Sequence, residues 1–199
     1  MSVVIATVGA VLAIVGSADP ASASGQGPAG GFYQLGNVSS FGGLLNTARM
    51  CLDTYAPRIG NYQPIVQWGC DRSRTDAFEN WTVTDVGSGL YQLTNSGGGI
   101  CLDSDARRPY SGSDIIQFAC NSSDPYQLWY INPAGGGAWS IKNLGASNRA
   151  YQLGYTDTGL CLDADSTQQE NGGRIQQYNC DTGDGFQLWY MFDATTHPH

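Results

Sequence analysis

Lysine is nearly absent from this chain: Lys142 is the only one among 199 residues, and the eight arginines all lie beyond position 48. Acidic residues number 17, for a net charge of −8. A nucleic-acid binder gains much of its affinity by neutralising phosphates with a basic face. That class is excluded, and an anionic membrane surface is disfavoured on the same ground. Histidine occurs only at His197 and His199, where a frayed tail is the simplest setting. The body of the chain therefore lacks the usual base for a serine or cysteine nucleophile. Charged residues of both signs make up only 13% of the chain. Beyond the N-terminal segment, no window sustains an apolar period of 3.6 residues. A neutral ligand fits this balance better than a charged one.

One apolar run is present, Val3 to Val15, and it is too short to span a bilayer comfortably. Ala21-Ser22-Ala23 follows with the small-x-small pattern of a signal-peptide cleavage site. Residues 1–23 are expected to be a signal peptide cleaved after Ala23, giving a secreted protein with no membrane insertion. No Lys or Arg precedes the run, which departs from the usual signal-peptide pattern. Residues 24–31 are Gly/Pro-rich and read as a flexible lead-in, and 193–199 as a C-terminal tail.

The remaining chain is organised by repetition. Cys-Leu-Asp occurs at 51–53, 101–103 and 161–163, and each copy is followed by another cysteine 19 residues after the first. An aromatic precedes each second cysteine by two places: Trp68, Phe118 and Tyr178. A polar residue then stands two places before a tryptophan: Glu79 with Trp81, Gln127 with Trp129, Gln187 with Trp189. These features define three repeats, at about 32–86, 87–135 and 136–192. Six cysteines allow fifteen pairings, but bridges within each repeat preserve the equivalence of the copies. Cys51 is therefore paired with Cys70, Cys101 with Cys120, and Cys161 with Cys180, each closing a loop worth roughly 3 kcal/mol. Zinc is the rival use of these cysteines, and their wide spacing argues against it. No metal or other cofactor is expected.

Each repeat holds short apolar, aromatic and β-branched runs separated by Gly, Asn, Ser and Pro, the pattern of strands and turns. In the second these are Leu90–Leu93, Ile100–Asp103, Ile115–Phe118 and Gln127–Tyr130. The third contains one run too many, so either Trp139 or Tyr151 begins its first strand. The expected fold is all-β, with about twelve strands. Closing them into a barrel removes the exposed edges, and the threefold form of that solution is a β-trefoil. Trp81, Trp129 and Trp189 are its expected core anchors.

The combination of Cys-Leu-Asp, the second cysteine, its preceding aromatic and Gln-x-Trp resembles a ricin B-chain-type lectin over residues 32–192. The resemblance implies carbohydrate as the partner. It implies binding residues Asp53, Asp103 and Asp163, with platforms Trp68, Phe118 and Tyr178, and amides Gln127 and Gln187. A further family glutamine, four places before the second cysteine, is matched by Gln176, whereas Val66 and Ile116 stand there in the other repeats. The chemistry is reasonable. A ring face covers the C–H patch of a sugar, and a carboxylate accepts from its hydroxyls. Galactose-binding relatives carry Asn just before the Gln-x-Trp glutamine, where this chain has Phe78, Tyr126 and Phe186. Galactose is accordingly not the expected sugar. The third repeat matches best.

Two other classes compete with a non-catalytic lectin. A glycoside hydrolase requires a pair of suitably spaced carboxylates, but the repeats use almost the whole chain. A protein-binding trefoil, such as an inhibitor or a toxin accessory subunit, would present one distinctive loop instead of three related pockets.

Overall fold

The computed structural model describes residues 27–39 and 50–195. The expected signal peptide, most of the Gly/Ser-rich insertion after Ser39 and both histidines lie outside the described residues. The first repeat contributes strands β1 (Gly31–Asn37), β2 (Met50–Asp53), β3 (Val66–Gly69) and β4 (Asn80–Gly87). The second contributes β5 (Leu90–Asn95), β6 (Cys101–Asp103), β7 (Ser113–Asp114), β8 (Ile116–Phe118) and β9 (Trp129–Gly135). The third contributes β10 (Ala138–Asn143), β11 (Leu160–Ala164), β12 (Gly173–Asn179) and β13 (Leu188–Asp193). The two-residue β7 is the addition to the expected twelve. The lead-in ends one residue earlier than expected, because Gly31 already pairs with Val83.

Closure is visible in the register. Strand β1 pairs with β4, β4 with β5, β5 with β9, β9 with β10, β10 with β13, and β13 returns to β1, all antiparallel. Six strands thus form a barrel without a free edge. The other strands form three hairpins, β2–β3, β6–β8 and β11–β12. Six barrel strands and three hairpins make a β-trefoil. The three disulfides join Cys51–Cys70, Cys101–Cys120 and Cys161–Cys180, each with Cα atoms 5.0 Å apart.

The core repeats with the sequence. Trp81, Trp129 and Trp189 are fully buried, and the leucine of each Cys-Leu-Asp packs with them. Ile65, Ile115 and Ile175, each five places before a second cysteine, belong to the same cluster, as do Leu35, Leu93 and Ile141 from the first strands. Each indole N–H donates to a leucine carbonyl: Trp81 to Leu52 at 3.0 Å, Trp129 to Leu102 at 3.2 Å, Trp189 to Leu162 at 3.1 Å. A large apolar area is buried and its single donor is satisfied, which is the condition for placing Trp in a core.

Two rings of buried amides join one repeat to the next. Asn37, Asn95 and Asn143 close the first strands and donate to Phe186, Phe78 and Tyr126 carbonyls at 2.8, 2.7 and 2.7 Å. Gln67, Gln117 and Gln177, three places before each second cysteine, reach the Gln168, Thr54 and Arg108 carbonyls of neighbouring repeats.

Asn143 also settles the extra run of the third repeat. β10 carries Trp139 and occupies the first-strand position. Tyr151–Leu153, the other candidate, is instead the end of helix α1 (Leu144–Leu153). The Asn143 side chain caps its start by accepting from Ala146 N at 2.8 Å, and Gly154 ends it in the left-handed region at φ 71. Ala146 and Ala150, one turn apart, pack on Leu160. Only this short apolar face is buried, too little to show as a sustained period.

Candidate functional site

The three aspartates end or nearly end the strands that carry the first cysteines, and all three are buried. Each lies opposite the residue four places before the second cysteine: Asp53 faces Val66, Asp103 faces Ile116, and Asp163 faces Gln176. Burial is the main cause that raises their carboxyls above the usual range, Asp53 and Asp163 both to about 6. The three environments then diverge.

In the third repeat, Gln176 Nε2 donates to Asp163 Oδ1 at 2.8 Å, and the nearby Gln187 amide also favours the ionised form of that carboxylate. Gln176 is itself fixed because Arg174 donates to its Oε1 at 3.1 Å, while the Arg174 guanidinium also pairs with Asp114 of the second repeat. Gln187 is buried, accepting from Asp181 N at 2.9 Å and donating to Asn179 O at 3.0 Å. It therefore braces the loop after Cys180 from behind. Tyr178 stands on β12, two residues beyond Gln176, with 47% of its surface exposed. Among the described residues no other aromatic ring packs on it.

In the second repeat, Gln127 Nε2 donates to Asp103 Oδ2 at 3.1 Å and Asp105 N to Oδ1 at 2.8 Å. Gln127 is buried, like Gln187, and its Oε1 accepts from Asn121 N at 2.8 Å. The platform Phe118 is already engaged: Tyr62 from the first repeat meets it edge-on with centroids 4.9 Å apart. Arg107 lies over Tyr62 at 3.8 Å from its centroid and forms a bidentate pair with Asp105 at 2.7 and 2.8 Å. The Arg107-Arg108 loop thus packs over this pocket's rim.

The first repeat differs most. Tyr55 stacks on Trp68, with centroids 5.8 Å apart and planes at 25°, and Tyr55 N donates to Asp53 Oδ1. Tyr55 itself lies in the left-handed region, φ 53. Glu79 replaces the Gln-x-Trp amide and accepts from Gln34 Nε2 and Asp71 N, both at 2.7 Å. It is raised to about 7, first by burial and then by the charges of Asp53, Asp76 and Asp71. Oxygen atoms of Asp53, Asp76 and Glu79 lie within 4.8 Å of one another. They are the group whose geometry comes nearest to a cation site among the described residues.

Reasoning from sequence missed both amide rings. The signals were present, as an Asn after an aromatic-x-apolar-x segment in each repeat and a Gln three places before each second cysteine. It also missed Tyr55 and Tyr62, which occupy two of the three platforms from positions that do not repeat.

The fold agrees with what known proteins show. Residues 77–150 match the family model for ricin-type β-trefoil lectin domain-like sequences. No curated protein is a significant match to the sequence. Among solved structures, the designed threefold symmetric protein ThreeFoil has a TM-score of 0.66 at 20% identity, over 81% of this chain and 98% of its own. The Macrolepiota procera ricin B-like lectin, solved with lactose, has a TM-score of 0.60 at 17% identity, over 84% and 99%. An exo-β-1,3-galactanase from Clostridium thermocellum reaches 0.64 at 26% identity, over 81% of this chain but only 30% of the enzyme. Residues 77–150 therefore resemble ricin-type β-trefoil lectin domains in sequence, and the chain as a whole shares the β-trefoil fold of these structures.

Proposed function

We propose that this is a secreted carbohydrate-binding protein without catalytic activity, and that the third repeat is its principal sugar site. One observation carries the reading: an exposed Tyr178 ring stands beside a buried carboxylate, Asp163, that Gln176 holds in position, with the Gln187 amide close by. The ring supplies a stacking face, and Asp163 supplies a charge-assisted acceptor for hydroxyls. Gln176 and Gln187 are positioning residues, since both spend their amides largely on protein partners. The platforms of repeats one and two are partly covered, so their pockets contribute less, and their value lies in avidity. Secretion is supported by the N-terminal apolar run with its Ala21-Ser22-Ala23 end and by three disulfides, which persist in oxidising compartments.

Binding is favoured over hydrolysis. The tight carboxylate pair in the first repeat, Asp53 and Glu79, is buried, and Glu79 is directed onto Gln34 and Asp71 instead of solvent. Such a pair cannot flank a glycosidic bond without first opening the fold. The likeness to a galactanase involves less than a third of that enzyme, which fits a binding module that accompanies hydrolases as well as a free lectin. A glycan array on the chain from residue 24 onward tests the proposal. Binding is expected, and it should fall when Asp53, Asp103 and Asp163 are replaced together by Ala. Binding that survives this triple replacement overturns the site, and release of reducing sugar from a polysaccharide overturns the non-catalytic reading.

A further inference from the structure

The third-repeat disulfide borders a cleft of about 580 Å³ that is lined by Gln187 but by none of Asp163, Gln176 or Tyr178. That volume is in the range of small-molecule sites. Its counterpart in the first repeat measures about 100 Å³, and the register explains why. In the first repeat Gln34 faces Phe192 across the barrel seam, and Arg72 and Arg74 close the mouth. In the third, Ser140 and Asn132 occupy the positions of Gln34 and Phe192. Small polar side chains leave open what Phe and Gln fill. The far wall also belongs to this repeat alone. From Asn143 to Cys161 the chain runs 18 residues, against 6 from Asn95 to Cys101, and this insertion brings Thr158 to the cleft.

The cleft contains Lys142, the only lysine in the chain. Its partner across the ladder is Cys161, and the matching positions in the first and second repeats are Gly36 and Thr94. Among the described residues no carboxylate pairs with Lys142, and its Nζ lies 5.7 Å from the Tyr130 ring centroid. Its stem is held close by the turn at Gly159, where a Cβ would come within 2.9 Å of Lys142 Cδ. A half-buried ammonium held this way in an acidic protein is a site for an anion. Beside the disulfide and Pro133, the rest of the lining is uncharged hydrogen-bonding groups on Ser140, Thr158, Thr182, Asn132 and Gln187, together with one acid, Asp181. Asp181 Oδ1 already accepts from Gly183 N at 2.8 Å, and the carboxylate adds an acceptor for hydroxyls while opposing a second negative charge.

We propose that this cleft is a second carbohydrate site, adjoining the Asp163 pocket at Gln187 but centred on Lys142, which takes a carboxylate-bearing sugar ring with its acid group on Lys142. Ring hydroxyls meet Thr158, Thr182 and Asp181, and Pro133 offers an apolar edge to the ring C–H groups. The two sites share Gln187 as a wall, but the acid group is placed on Lys142 and the hydroxyl acceptor of the other pocket on Asp163, so a variant at either charge tests its own site.

The test is calorimetric titration of the disulfide-bonded protein with a hexuronate oligosaccharide and with the same oligosaccharide after reduction of its carboxyl groups. The acidic form should bind roughly tenfold more tightly, the scale of one charge-assisted bond, and the preference should shrink with added salt. Lys142→Ala should remove the preference, while Asp163→Ala should preserve it. A double variant, Asn132→Phe with Ser140→Gln, copies the plug of the first repeat and should abolish binding of the acidic form. Equal affinity for the two forms, no binding of either, or a preference that survives Lys142→Ala overturns the proposal. So does loss of the preference in Asp163→Ala, which would assign the acidic sugar to the first pocket.

Discussion

The first and third repeats place an aspartate at the same point of the same hairpin, yet give it opposite company. Asp53 lies beneath Tyr55, beside a Trp68 that Tyr55 already covers, and near a second carboxylate, Glu79. Asp163 is held by Gln176, with Gln187 close by, beside an exposed Tyr178. The barrel beneath is the same in both. Trp81 and Trp189 are equally buried and donate to equivalent leucine carbonyls. A threefold fold therefore constrains the core of each repeat and leaves the hairpin surface free to diverge.

The largest expected effect tests the sameness. Trp81→Ala and Trp189→Ala should each cost about 3–5 kcal/mol in denaturant unfolding, with similar values for the two. Clearly unequal losses would show that the core equivalence is only geometric. The next separates the platforms. Tyr178→Ala should weaken sugar binding roughly tenfold, whereas Trp68→Ala, already stacked by Tyr55, should change it little; isothermal titration decides. A smaller effect comes from Gln176→Val, which gives the third repeat the residue of the first. It should weaken binding by about threefold to tenfold, because Asp163 loses one positioning bond, with the thermal midpoint nearly unchanged.

The smallest effect concerns the first repeat alone. Burial and nearby carboxylates raise Glu79 to about 7 and Asp53 to about 6. The folded state thus keeps protons that the unfolded chain releases near about pH 4. Stability contributed by that proton binding is fully present below about pH 4 and is lost progressively as pH rises from there through about 7. Glu79→Gln restores the amide of the other repeats and should flatten this decline, with a higher unfolding midpoint at pH 8 and little change at pH 5. A steeper decline in the variant would contradict the assignment.

Much of this organisation was legible in the sequence because repetition marks what the fold requires. Cysteine spacing, Cys-Leu-Asp and the tryptophans led to the bridges, the core and the closed barrel. What escaped was of two kinds. Asn37, Asn95 and Asn143 repeat as faithfully as the cysteines, but their role appears only when the barrel brings each to the turn preceding it in space. Tyr55, Tyr62 and helix α1 do not repeat, and they decide which pockets stay open. Their effect depends on long-range packing, such as Tyr62 meeting Phe118 across repeats, which no local spacing encodes. The run at Tyr151–Leu153 looked like a strand because it matches Tyr33–Leu35 in composition. Asn143 and Gly154, which cap the helix there, outweighed that likeness.

The central claim, that the third repeat is the working sugar site, rests most directly on one paired measurement. Asp163→Ala and Asp53→Ala would be titrated with the best ligand from a glycan array, at pH 7.5 and at pH 5. Asp163 is raised to about 6, so binding through it requires the ionised form present above that pH. Asp163→Ala should abolish binding at pH 7.5, Asp53→Ala should bind as the unmodified protein does, and the unmodified protein should bind more weakly at pH 5. Loss of binding in Asp53→Ala, with Asp163→Ala unaffected, would place the site in the first repeat and contradict the account.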